Sequence, residues 1–137
     1  MRLLSAVIIG VGAAGAGQGD TLALPSGTQA TPLPVVWDED MSVLRLRYVV
    51  PHLSEGDDSY AEGEDVLDDM QWLCDTQAFE LLGTDTPPQD QGWTGAVITL
   101  MDREVEFGVV DQQALQLFEW FSFADGKCEI DLDDWDD

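Results

Sequence analysis

The clearest pattern in the sequence is an alternation of apolar and polar residues over positions 43–50. Successive side chains of a strand point to opposite faces, so this stretch predicts a half-buried strand with Arg45 and Arg47 on its polar face. Its apolar face carries Leu44, Leu46, Tyr48 and Val50. The shorter apolar run at 33–37 contains Pro34 and predicts an edge strand at most.

Helical spacing follows in residues 59–82. Ser59 and Glu62 form a Ser-x-x-Glu capping box, which is typical of a helix N-terminus, and Gly83 is placed to end the helix. Apolar residues recur between them every three or four positions, at Leu67, Met70, Cys74, Ala78 and Leu81. We therefore expect one helix with Cys74 on its buried side.

The C-terminal half predicts two strands, a helix and a last strand. Residues 96–101 and 104–109 resemble a hairpin joined by Asp102-Arg103. Asp111 is a favourable N-cap for a helix carrying Ala114, Leu117, Phe118 and Phe121. Alternation from Cys128 to Leu132 then predicts the final strand.

This order of elements predicts an α+β fold of the ferredoxin-like (split βαβ) type. We expect an antiparallel sheet with two helices on one face and an optional extra N-terminal strand. In that topology Arg45 and Arg47 would be flanked by acidic residues of the neighbouring strands, which stabilises cross-strand pairs. These flanking residues are Glu104, Glu106, Glu129 and Asp131.

The N-terminus is apolar over residues 3–16, follows Arg2 and closes with the small residues Ala14-Gly15-Ala16. This pattern predicts a signal peptide (1–16), since the run is too short for a membrane anchor. We divide the remainder into a flexible arm (17–32), a single α+β domain (33–133) and an acidic tail (134–137). The predicted location is the periplasm or the extracellular space, with no membrane insertion after cleavage.

Charge and cysteine content narrow the class of protein. The chain has 5 Lys and Arg residues against 28 Asp and Glu, a formal net charge of −23. Such a charge repels nucleic acid and anionic lipid and favours solubility or a cationic partner. Its two cysteines, Cys74 and Cys128, predict one disulfide in an oxidising compartment, and no Cys-x-x-Cys redox motif is present.

Candidate binding residues are Arg45, Arg47, Trp93 and Trp135. The two arginines suit an anionic group, although ion pairing within the sheet explains them equally. Trp93 and Trp135 fall in a loop and in the tail, where an exposed ring can anchor a protein partner. We predict no cofactor.

No catalytic or metal site is predicted. His52 is the only histidine, so an imidazole-based metal site or relay lacks a second member. Acidic residues around Asp57, Asp58 and Glu64 offer oxygen ligands but do not form an EF-hand loop. A solvated acidic loop accounts for them, while carboxylate-based hydrolysis and weak cation binding stay open.

Three segments resemble an uncharacterised family of small exported bacterial proteins: residues 69–74 (DMQWLC), residues 104–108 (EVEFG) and the stretch that ends at Cys128. The likeness covers most of the chain after Leu24. Some members of that family carry an acetolactate synthase label. That enzyme requires a Gly-Asp-Gly motif followed by Asn, whereas this chain contains no Asn.

The sequence thus predicts an exported acidic module that binds a periplasmic protein partner through the open sheet face or the tail. The alternatives are a small hydrolase that uses the acidic loop and a low-affinity cation binder.

Overall fold

A computed structural model describes residues 20–55, 59–83 and 85–131. These residues form a curled half-barrel sheet of seven mixed strands with a short helical segment packed on it. The predicted signal peptide and acidic tail lie outside the described residues. The strands are β1 (Leu22–Ala23), β2 (Gln29–Pro32), β3 (Val36–Asp38), β4 (Val43–Val49), β5 (Gly95–Met101), β6 (Gln116–Ala124) and β7 (Lys127–Ile130).

The ferredoxin-like prediction is wrong, because the sheet is not antiparallel throughout. Its order is β1-β2-β4-β5-β6-β7, and β3 also pairs with β4. β4 and β5 run parallel, with Leu46 opposite Ile98, while the other pairs are antiparallel. The helical segment therefore connects two adjacent parallel strands as a βαβ crossover.

The predicted second helix does not exist, because residues 116–124 form β6. Leu117, Phe118 and Phe121 imitate helical spacing only because both faces of this strand carry large apolar side chains. Aromatic residues favour strands, and here they decide the local structure. The predicted strand at 104–109 is also absent, since residues 104–109 are irregular.

The first predicted helix is present but interrupted. It comprises α1 (Ser59–Glu62), α2 (Glu64–Leu73), a π-helical turn (Cys74–Ala78) and α3 (Phe79–Leu82). Gly83 ends it with a φ of 79°, a left-handed conformation that glycine adopts without strain. Its buried residues are Tyr60, Val66, Asp69, Met70, Leu73, Cys74 and Ala78, whereas Leu67 and Leu81 are exposed.

One main core lies between this helical segment and the sheet. The sheet contributes Leu44, Leu46, Tyr48, Ala96, Ile98, Leu100, Phe121, Phe123 and Cys128. Residues 20–32, where the sequence suggests a flexible arm, contain β1 and β2, and Leu24 and Ala30 are buried in this core. A second, smaller cluster of buried apolar residues is separate from this core and consists of Leu33, Met101 and Val105.

Cys74 and Cys128 are joined by a disulfide that links the π-helical turn to β7. Both cysteines are buried in the main core. The backbone of Cys128 is held in addition by two helical side chains. Asp75 accepts a hydrogen bond from the Cys128 N–H at 2.8 Å, and the Gln71 amide donates to the Cys128 carbonyl at 2.6 Å.

Candidate functional site

Two rows of residues cross the sheet on the face opposite the helical segment. The first row is Arg45, Val97 and Trp120, and the second is Arg47, Thr99 and Phe118. Each row places an arginine on β4, a smaller residue on β5 and an aromatic ring on β6. Because the middle residues are small, a trough forms between the arginines and the rings.

The loop between β5 and β6 closes this trough into a cavity of about 200 Å³. Phe107 of the loop lines it together with the two arginines, Thr99, Phe118 and Trp120. We call this cavity the arginine groove. Phe107 and Phe118 remain about half exposed, at 50% and 51%.

Arg45 is held by one carboxylate and two rings. Its Nε donates to Asp38 Oδ2 at 2.9 Å, and this hydrogen bond lowers the pKa of Asp38. The guanidinium carbon lies 5.6 Å from the ring centres of both Phe107 and Trp120, which is within cation–π range. Arg45 is therefore fixed in position with its terminal nitrogens beside the groove.

Arg47 is more deeply buried, at 9% exposure. Its Nη2 donates to the Val105 carbonyl, and its guanidinium lies 5.6 Å from the centre of the Phe107 ring. Burial lowers the pKa of Arg47, while the charge of Glu104 raises it. Burial of a cation is costly, so an added anion beside Arg47 would be stabilising.

The acidic flanks expected for these arginines differ from the observed ones. Glu129 lies opposite Ser122 at the far side of the sheet, because β7 pairs with β6 and not with β4. Glu106 does line the groove, and Glu104 acts on Arg47. Asp38 is the carboxylate that pairs with Arg45, and the sequence analysis did not identify it.

Of the two predicted tryptophans, the structure describes only Trp93, and Trp93 does not join this site. Trp93 packs against the main core, and its ring centre lies 5.5 Å from that of Trp37. Trp135 lies outside the described residues. The groove instead takes its rings from Trp120 and from Phe107 and Phe118, which the sequence pattern places in a strand and in a helix.

A second polar cluster surrounds Asp69, which is completely buried. Its carboxylate accepts hydrogen bonds from the Ser26 N–H at 3.0 Å, from the Ser26 hydroxyl at 2.6 Å and from the Tyr60 hydroxyl at 2.6 Å. Burial and this carboxylate raise the pKa of Tyr60. The cluster binds the loop between β1 and β2 to the helical segment. The carboxylate oxygens are occupied by these donors, so we assign the cluster to stability.

The other predicted polar residues are dispersed. His52 is exposed, with its ring centre 5.1 Å from that of Tyr60. Glu64 is exposed at the start of α2, and Asp57 and Asp58 lie outside the described residues. Within residues 20–55, 59–83 and 85–131, no group of three or more His, Cys, Asp or Glu side chains is arranged to hold a metal ion. In the same ranges, no helix is both long and apolar enough to cross a bilayer.

Comparison with known proteins identifies the family. A family model described as a family of unknown function (DUF6497) matches residues 7–132, so the chain belongs to that family. Neither the curated proteins nor the solved structures yield a match.

Proposed function

We propose that this member of the family is an exported binding module that docks a protein partner on the sheet face around the arginine groove. The observation that carries the proposal is the pair of cross-strand rows. They place Arg45 and Arg47 side by side opposite Trp120 and Phe118. Arginine and aromatic residues are the types enriched among the residues that dominate protein interfaces.

The size and rim of the groove favour a protein partner over a small molecule. About 200 Å³ is below the 300–1,000 Å³ that is usual for small-ligand pockets. Among the lining residues, Val109 is 48% exposed and Phe107 and Phe118 are half exposed, and the next residue in the chain, Val110, is 85% exposed. Exposed apolar side chains beside a charged centre are typical of a docking surface.

Charge supports a partner with net positive charge. Arg45, Arg47 and Arg103 are three of the chain's five basic residues, and all three lie in or near this face. The rest of the chain is strongly acidic. A basic partner would be attracted by the overall field, and the arginine groove would then select its contact point.

Export is supported by two independent features. The N-terminal sequence has the composition of a signal peptide, and the disulfide suits an oxidising compartment such as the periplasm.

The test is a pull-down from a periplasmic fraction with the tagged full-length chain, at low and high salt, followed by mass spectrometry. Arg45→Gln removes one positive charge from the groove, and Lys127→Gln removes one from the exposed first residue of β7 as a matched control. We expect a protein that is retained at low salt and released at high salt. Its retention should fall with Arg45→Gln and persist with Lys127→Gln. Equal retention by both variants would refute docking at this face.

A further inference from the structure

We propose that the arginine groove recognises an aspartate or glutamate side chain of the partner that stands next to an aromatic side chain. This inference rests on the proposed function and specifies the chemistry of the contact. It follows from which donors of the two arginines are already occupied and from how the two rows are ordered across the sheet.

The arginines keep donors for one additional anion. Asp38 occupies Nε of Arg45, and the Val105 carbonyl occupies Nη2 of Arg47. An arginine offers five N–H donors, so each guanidinium has N–H groups beyond the one that these contacts within the described residues engage. The two residues are separated by one position on β4 and point to the same face, about 7 Å apart at their Cα atoms. A carboxylate between them would accept charge-assisted hydrogen bonds from both.

The groove suits a single negative charge better than a phosphate. Asp38 already pairs with Arg45, and Glu106 lines the same groove. A group with nearly two negative charges would meet these acids as well as the net charge of −23. A carboxylate carries a single negative charge, so it is repelled less by these acids, and its two oxygens match the planar fork of N–H donors of arginine.

The second row, Arg47, Thr99 and Phe118, favours an aromatic side chain next to the partner's carboxylate. Thr99 separates Arg47 on β4 from Phe118 on β6, and Phe118 is half exposed. Neighbouring strands are about 4.8 Å apart, so Phe118 lies about 10 Å from the arginine strand. A ring from the partner would rest over Thr99 against Phe118 while its neighbouring carboxylate reaches the arginines. Aromatic pairs of this kind add to affinity beyond the area they bury.

The experiment uses peptides with Lys residues at both ends around a central Trp-Asp pair. Two control peptides replace Asp with Asn or Trp with Ala. The Asn peptide is more positive, so general attraction to this acidic protein would make it bind more tightly. Binding to the full-length chain is measured by fluorescence anisotropy of a labelled peptide, at about 0.02 M and 0.15 M salt.

We expect the Trp-Asp peptide to bind about tenfold more tightly than the Asn peptide and more tightly than the Ala peptide. Arg45→Gln should abolish the preference for the Trp-Asp peptide over the Asn peptide, and Phe118→Ala should abolish its preference over the Ala peptide. Lys127→Gln should preserve both preferences. Asp38→Asn removes the negative charge that already neutralises Arg45 and should strengthen binding. Circular dichroism and a thermal melt establish that each variant is folded, and Phe118→Ala alters only a half-exposed side chain.

Tighter binding of the Asn peptide, or a preference for Asp that survives Arg45→Gln, would overturn the inference. The proposed function is judged separately. A partner whose retention depends on Arg45, combined with peptides that show no preference, would refute the inference and leave docking at this face intact. Retention that is independent of Arg45 would refute the proposed function itself.

Discussion

Reduction of the disulfide should remove a large part of the stability of this protein. Cys74 and Cys128 are 54 positions apart, so the bond closes a long loop in the unfolded chain. The chain-entropy model gives about 4 kcal/mol for a loop of this length at 25 °C. The stability of a whole domain is about 5–15 kcal/mol, so the reduced protein should be marginally folded.

The assay is urea unfolding of the same chain with the disulfide intact and after reduction. Both sulfur atoms belong to buried residues, so reduction should be done in denaturant before refolding in the presence of the reductant. We expect a lower midpoint in the reduced sample, and the difference in unfolding free energy should be about 4 kcal/mol. A difference below about 1 kcal/mol would refute the reasoning. It would mean that the unfolded chain is already compact, so that the disulfide restricts it little.

Three further predictions concern stability. Asp69→Ala should lower the unfolding free energy by about 3 kcal/mol, because it removes the carboxylate that accepts from the buried Tyr60 hydroxyl and ties the loop at Ser26 to the helical segment. The exposed Asp68→Ala is the control, and equal urea midpoints for the two variants would contradict this. Gly95→Ala should lower the unfolding free energy by about 3 kcal/mol or prevent folding, because the Cβ of the new alanine would collide with the Phe121 carbonyl oxygen. A melting temperature within 2 °C of that of the parent would contradict this prediction. Burial raises the pKa of Asp102, but the hydrogen bonds that its carboxylate accepts from Arg103 and the Leu115 N–H outweigh this effect, so the pKa lies below 3.8. Its carboxylate should stabilise the fold above that pH and lose this effect as the pH falls through the lowered pKa. The difference in melting temperature between the parent and Asp102→Asn should therefore shrink between pH 5 and pH 2, and a constant difference would contradict this.

Local patterns predicted the elements whose apolar side chains recur mainly on one face. The alternation at 43–50 yields β4, and Gly83 ends the helical segment as expected. Where a segment is apolar on both faces the same reasoning failed. Residues 116–124 carry rings on either side of the strand, so helical and strand periodicity cannot be distinguished from spacing alone.

Only part of the candidate site could be predicted from the sequence, because local patterns indicate the face of a residue but not its partners on other strands. Arg45 and Arg47 fall on one face in any strand, whatever the topology. Their ring partners come from the misassigned stretch 104–124 and from a strand pairing that only the fold provides. Asp38 was missed because its contact with Arg45 depends on β3 folding back beside β4.

The side chains that hold Cys128 also bear on self-association. A strand at the edge of a sheet exposes N–H and C=O groups that can template a foreign strand, which is a common origin of aggregation. At Cys128 both groups are already occupied, the N–H by Asp75 and the carbonyl by Gln71. The helical segment thereby blocks strand addition at the middle of β7. Loss of these two polar side chains would leave the backbone of an edge strand unprotected in a folded protein. The expected consequence is strand pairing between molecules and fibre formation, and not unfolding.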